Sequence, residues 1–195
     1  MRIDHVIYAT GDLDAAATRV GQELGVAAVG GGRHEGIGTH NRIVPLDNGY
    51  IELLAIADPG QAAESELGRA VQARIERVGD GLMGWAVVVD DVAPVAERLG
   101  TSVTTIAREG LSAHLTGVAE AMADPYLPFF IARDPGIRGP GPRDDVDAIT
   151  WIELTGDERR LREWLGEEDL PARVVSDGPP GVRAVCIGDR ELRTG

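Results

Sequence analysis

The chain has 195 residues, 43% hydrophobic and 26% charged, which suits one sizeable core or two small fused ones and argues against disorder. Its formal charge of −13 repels phosphate backbones and anionic membrane surfaces, and its arginines are scattered among carboxylates, so nucleic-acid and membrane partners are set aside. The single cysteine, within Val185-Cys186-Ile187, excludes a disulfide framework and a cysteine-based zinc site, and reads as a buried inert thiol.

The N-terminus, Met1-Arg2-Ile3-Asp4-His5, opens directly into a strand pattern, and no apolar run is long enough to span a bilayer, so a cytoplasmic location is expected. With 26 Gly, 11 Pro and only 4% aromatics, tight turns between short elements are predicted.

Three segments share one grammar: an apolar strand, a turn ending in Asp, an amphipathic helix, then Gly. They run from His5 through Asp12 to Gly25, from Trp85 through Asp91 to Gly100, and from Ile149 through Asp157 to Gly166. The Asp is a natural N-cap, and the Gly supplies a left-handed residue beyond the helix. Further strands are predicted after each helix: 26–29, 39–46 and 50–56 in the first unit, the last two joined by Asp47-Asn48-Gly49. The second unit offers 102–108, 112–118 and 126–132, and the third a compressed set at 172–176, 182–187 and 191–193. A connecting helix over 65–78 carries the stripe Leu67, Val71, Ile75 and Val78.

The expected fold is therefore α+β, with paired β-α-β-β-β modules in a cupped mixed sheet and a third, compressed module at the C-terminus. Residues 1–133 would form the pair (about 1–57 and 81–133), 134–146 a Gly/Pro-rich linker, and 147–195 the partial module. One such unit leaves an apolar face and open edges, so two must pair, and the concave side makes a ligand pocket.

Asp4-His5-Val6, the run Gly31-Gly32-Arg33-His34 through Gly38-Thr39-His40-Asn41, Tyr50-Ile51-Glu52-Leu53-Leu54, and Leu127-Pro128-Phe129-Phe130-Ile131 resemble the glyoxalase-like branch of the vicinal oxygen chelate superfamily. The resemblance covers roughly residues 3–132 and implies paired modules around a cleft. In catalytic members it also implies a divalent metal held from the first and last strands of the modules. Carried over by position, those ligands fall on His5 and Glu52, types that suit Zn, Mn, Fe or Ni and leave positions for substrate oxygens. Aligning the capping aspartates puts Gly84 and Thr150 where His5 stands, and the strand Phe129-Phe130-Ile131-Ala132 offers no carboxylate.

His5 reads equally as a core imidazole, and Glu52 as a buried carboxylate paired with Arg42. The run from Gly30 to Gly38 reads as a ligand-contacting loop, with Arg33, Thr39 and Asn41 as polar contacts and His34 or His40 as metal ligand or proton shuttle, or else as a tight surface hairpin with solvated histidines. Trp85 and Phe129 are expected in the core or the pocket wall. Two functions follow: metal-assisted lyase, isomerase or dioxygenase chemistry on a small oxygen-bearing metabolite, or metal-free sequestration of a small molecule. A homodimer is compatible with either.

Overall fold

The structure, a computed structural model, describes residues 1–108, 111–134, 143, 145–166 and 168–194. The first module runs β1 (Arg2–Ala9), α1 (Leu13–Leu24), β2 (Val29–His34), β3 (Thr39–Pro45) and β4 (Tyr50–Ile56). Helices α2 (Pro59–Glu64) and α3 (Glu66–Val78) lead to the second: β5 (Gly81–Val88), α4 (Ala93–Leu99), β6 (Val103–Arg108), β7 (Leu111–Thr116), α5 (Val118–Ala123) and β8 (Phe129–Arg133). The C-terminal unit comprises β9 (Ile149–Thr155), α6 (Glu158–Leu165), β10 (Ala172–Val175), β11 (Gly181–Ile187) and β12 (Arg190–Arg193). The expected linker lies largely outside the described residues.

Helix boundaries follow the sequence grammar with one exception. Asp12 accepts hydrogen bonds from the N–H groups of Asp14 and Ala15, and Gly25 closes α1 at φ 70°. Asp157 caps α6 through Arg160 N–H. At α4 the cap position falls on Val92, which offers no side-chain acceptor, and Asp91 bonds only Ala93 N–H from outside the helix.

The two modules form one eight-stranded mixed sheet in the order β2-β3-β4-β1-β5-β8-β7-β6. Its centre is the antiparallel β1–β5 ladder, and each of these strands pairs in parallel with the last strand of its own module. One face packs Val6, Tyr8, Leu53 and Trp85 against Val20 of α1 and against Ile152 and Val185 of the C-terminal sheet. The opposite, concave face carries Ile7, Ala9 and Leu54, which α3 covers with Val71. Each fully buried side chain of this size contributes about 1.5–3 kcal/mol.

The C-terminal unit keeps the β-α-β-β-β order of elements but not the module's strand order. Its sheet reads β10-β9-β11-β12, because the strand after α6 returns parallel beside β9 instead of going to the far edge. It backs the convex side of the cup.

Two local expectations are corrected. The glycine-rich run is not a loop: its first part is β2, an edge strand beginning at Val29, where the predicted strand ended. Glycine there answers close approach, since a Cβ on Gly31 would collide with the Asn41 carbonyl oxygen. Arg42 pairs with Asp14 of α1 on the outer face and does not meet Glu52.

Candidate functional site

Strand alternation would place Asp4 and His5 on opposite faces. The β1–β5 register slips by one residue between Ile3 and His5, and this bulge turns both side chains into the cup. The Asp4 carboxylate takes a bidentate pair of bonds from Arg133 of β8, both 2.7 Å. It also lies 2.8 Å from His5 Nδ1. Burial alone would raise the Asp4 carboxyl, but the bonds and charges of Arg133 and His5 outweigh it and hold the pKa far below the ordinary 3.8. An ionised Asp4 accepts only, so Nδ1 carries the proton it accepts.

That leaves His5 Nε2 facing outward, 3.7 Å from Glu52 Oε2. The Glu52 carboxylate is positioned in turn by Asn41, whose Nδ2 donates to Oε1 at 2.6 Å. Asn41 is fixed because its Oδ1 accepts from Gly32 N–H at 2.8 Å, the contact that requires bare glycine in β2. The imidazole stacks on Tyr50, with centroids 4.6 Å apart, and meets the edge of Phe129 at 5.5 Å. Burial, then the charges of Asp4 and Glu52, raise the Tyr50 phenol well above its ordinary 10.0, so it stays neutral. His5 is 3% exposed and the Glu52 side chain 14%, a polar pair at the bottom of an otherwise apolar floor.

The expected site residues divide between the faces of the sheet. His5, Glu52, Asn41 and Phe129 converge in the cup. Thr39 and His34 bond each other at 2.9 Å beyond them, at the far end of the β2–β3 hairpin. Arg33 and His40 form a cross-strand pair on the outer face, beside the start of α1. His40 cannot act on a ligand in the cup, because alternation along β3 turns it away from Thr39 and Asn41. Of the two places expected for Trp85, the structure gives the core: it is 0% exposed, sits on the convex side and donates its indole N–H to the Tyr126 carbonyl.

Asp4, Arg133 and Tyr50 were not anticipated as site residues. Asp4 stood beside His5 in sequence, but the bulge that aims it inward leaves no pattern in the residues. Arg133 belongs to the alternation Phe129, Ile131, Arg133, a signal that could have placed it on the concave face.

Register also settles the second half of the implied metal site. Ile7 pairs with Gly84 and His5 with Ala86, while Ile7 parallels Glu52 and Ala86 parallels Phe129. A half-turn about the ladder's centre thus exchanges His5 with Gly84 and Glu52 with Phe129. Only half of a four-ligand set exists, and no group of three or more His, Cys, Asp or Glu side chains able to hold a metal occurs among the described residues. The residues present do not fit the group the resemblance implies.

The glyoxalase-like domain family model matches residues 3–168. The chain belongs to this family. The match takes in both modules and reaches through α6 of the C-terminal unit. No curated protein matches the chain. A solved structure of a hypothetical protein from Staphylococcus aureus is similar over 94% of this chain and 89% of its own, with TM-score 0.69 and 16% identity. Methylmalonyl-CoA epimerase from Mycobacterium tuberculosis is similar over 69% of this chain and 88% of its own, with TM-score 0.51 and 19% identity. A singly substituted Streptomyces coelicolor methylmalonyl-CoA epimerase in complex with 2-nitronate-propionyl-CoA gives 69% and 98%, TM-score 0.52 and 20% identity. These likenesses establish the fold of the vicinal oxygen chelate superfamily for this glyoxalase-like chain. Among the described residues no helix is long and apolar enough to cross a membrane.

Proposed function

We propose that this glyoxalase-like protein moves a proton on a small oxygen-bearing metabolite bound in the cup, with His5 and Glu52 as the proton-handling pair. The observation that carries the reading is the Arg133–Asp4–His5 line, which commits the Nδ1 proton and presents Nε2 opposite Glu52. An imidazole whose Nδ1–H is held by a fixed carboxylate offers Nε2 as the atom that takes up or returns a proton. Glu52, held by Asn41, is placed to accept or return a second proton. The aromatic walls of Tyr50 and Phe129 exclude water around the imidazole, which strengthens both interactions. Epimerisation, the reaction in the names of two structural neighbours, is chemistry of this kind: a proton leaves and returns at one carbon.

No step is routed through a metal, since the mirrored positions hold Gly84 and Phe129. The second reading, a metal-free binding protein, draws on that same loss of donors and on the apolar floor.

The test is deuterium incorporation. The protein is incubated in D2O with a panel of acyl-CoA esters, 2-oxo acids and 2-hydroxy acids, and the recovered compounds are weighed by mass spectrometry. Exchange next to the carbonyl should fall by about 10²–10⁴-fold in His5→Gln and Glu52→Gln, the usual contribution of a positioned acid or base. A panel member that binds tightly but gains no deuterium would contradict the enzymatic reading and leave the binding protein.

A further inference from the structure

All 19 basic residues of this chain are arginine, in a molecule of net charge −13, and most of those described lie against carboxylates. Arg74 and Arg77 do not. They sit one helical turn apart on α3, both line the pocket that contains His5 and Glu52, and neither forms an ion pair with any described carboxylate. Arg74 donates to the Gly79 carbonyl at 2.6 Å, which leaves most of its donors uncommitted. Asp80, whose charge reaches Arg74, is taken by Thr10, Gly11 N–H and Arg19. Burial and then the charge of Arg77 hold the Arg74 guanidinium below its ordinary 12.5, with Tyr8 and Asp80 opposing only in part. Two like charges side by side and only partly compensated are a local instability that a bound anion relieves.

Strand β5 leads from this pair towards the reacting centre. A Cβ built on Gly81 would lie 2.7 Å from Arg74 Nη2, so β5 starts beneath that guanidinium. Three residues further on, Gly84 lies in the floor opposite Ile7, and a Cβ there meets nothing within 4 Å. Ala86, two residues beyond, pairs with His5. Five residues of strand put the arginines roughly 15 Å from the imidazole.

We propose that Arg74 and Arg77 form an anion subsite at the α3 end of the cleft, which receives a phosphate or carboxylate on an extended substrate whose reacting carbon lies at His5. The proposal rests on the proton-transfer reading for the position of the reacting end, but not for the subsite itself. The substrate class is thus an elongated oxyanion-bearing molecule, with a spacer of roughly 15 Å between anion and reacting carbon. Methylene, amide or sugar units can supply such a spacer; a three-carbon acid cannot.

The experiment is an NMR titration of the full chain at low salt, following the arginine Nε–Hε signals, with inorganic pyrophosphate in one arm and glutarate in the other. Shifts of the Arg74 and Arg77 signals with one anion identify that chemistry, and shifts with both indicate a general oxyanion site. Affinity should fall at least tenfold in the Arg74→Gln, Arg77→Gln double variant. It should fall about threefold in Arg77→Gln, an exposed substitution that leaves the Gly79 contact intact, and it should be unchanged in His5→Gln. Neither anion shifting these signals, or equal affinity in the Arg77→Gln and double variants and the parent, would overturn the subsite. If exchange is lost in His5→Gln while neither anion binds, the subsite fails alone; if the anions bind but no compound exchanges, the proton-transfer reading fails alone.

Discussion

The two modules have one backbone and two chemistries. Both carry a bulge at the same place on the central ladder, at Asp4-His5 in one and at Met83-Gly84 in the other, and the half-turn that exchanges the modules exchanges the bulges. In the first module the bulge presents a buried carboxylate and an imidazole, and the last strand adds Glu52. In the second the same positions hold Met83, Gly84 and Phe129. The duplicated scaffold supplies position, and the side chains decide separately in each half whether that position reacts or merely makes room. Arg133 binds the halves together, since it rises from the second module to neutralise Asp4 of the first.

The largest expected effect comes from cutting that link. Asp4→Asn leaves the Arg133 charge buried without its partner and should destabilise the fold by about 3 kcal/mol in urea denaturation at neutral pH. Because the folded-state pKa of Asp4 is depressed, its stabilisation is present above the ordinary 3.8 and is lost as pH falls through the lower folded value. The gap between parent and variant should therefore be constant from pH 8 to pH 5, by the usual linkage, and narrow only below about pH 4. A gap that closes already near pH 6 would mean that another group carries the effect.

The next prediction restores the missing symmetry. Gly84 has open space above it and Phe129 occupies the position equivalent to Glu52, so Gly84→His with Phe129→Glu builds the four-donor set around the ladder's centre. Zinc or manganese affinity measured by calorimetry should rise by about 100-fold over the parent, about 2.7 kcal/mol. A parent that already binds as tightly as the double variant would show that the mirrored donors are irrelevant.

A smaller effect separates the helix starts. Asp12→Ala removes a true N-cap and should lower stability by about 1 kcal/mol, whereas Asp91→Ala, outside its helix, should lower it by only a few tenths. The exposed Arg42–Asp14 pair should be worth under about 1 kcal/mol in a double-mutant cycle, although it joins β3 to α1.

Much of this architecture was legible in the residues because it rests on periodic signals. The repeated strand, Asp, helix and Gly announced the paired modules, whereas His5 and Glu52 were singled out only by the resemblance to the glyoxalase-like branch. What stayed hidden depends on interruptions of periodicity and on pairings between distant segments. The bulge at Asp4 breaks alternation without any Gly or Pro to mark it. The glycines of β2 suggested contact with a ligand, but the close approach of Gly31 to Asn41 is invisible until β2 and β3 are laid side by side. His40 and Asn41 looked equivalent in the run Thr39-His40-Asn41, yet alternation along a strand sends them to opposite faces. The C-terminal unit repeated the order of elements but not the pairing, because a strand returning beside its predecessor or at the far edge uses the same residues.

The most direct measurement is the 15N NMR titration of the His5 ring. Nδ1 should keep its proton across the whole titration, bonded to Asp4, while Nε2 gains and loses its own, and Asp4→Asn should abolish that preference. A neutral ring protonated at Nε2, with Nδ1 bare beside Asp4, would contradict the assignment of Nε2 as the exchanging atom and with it the proton-transfer site.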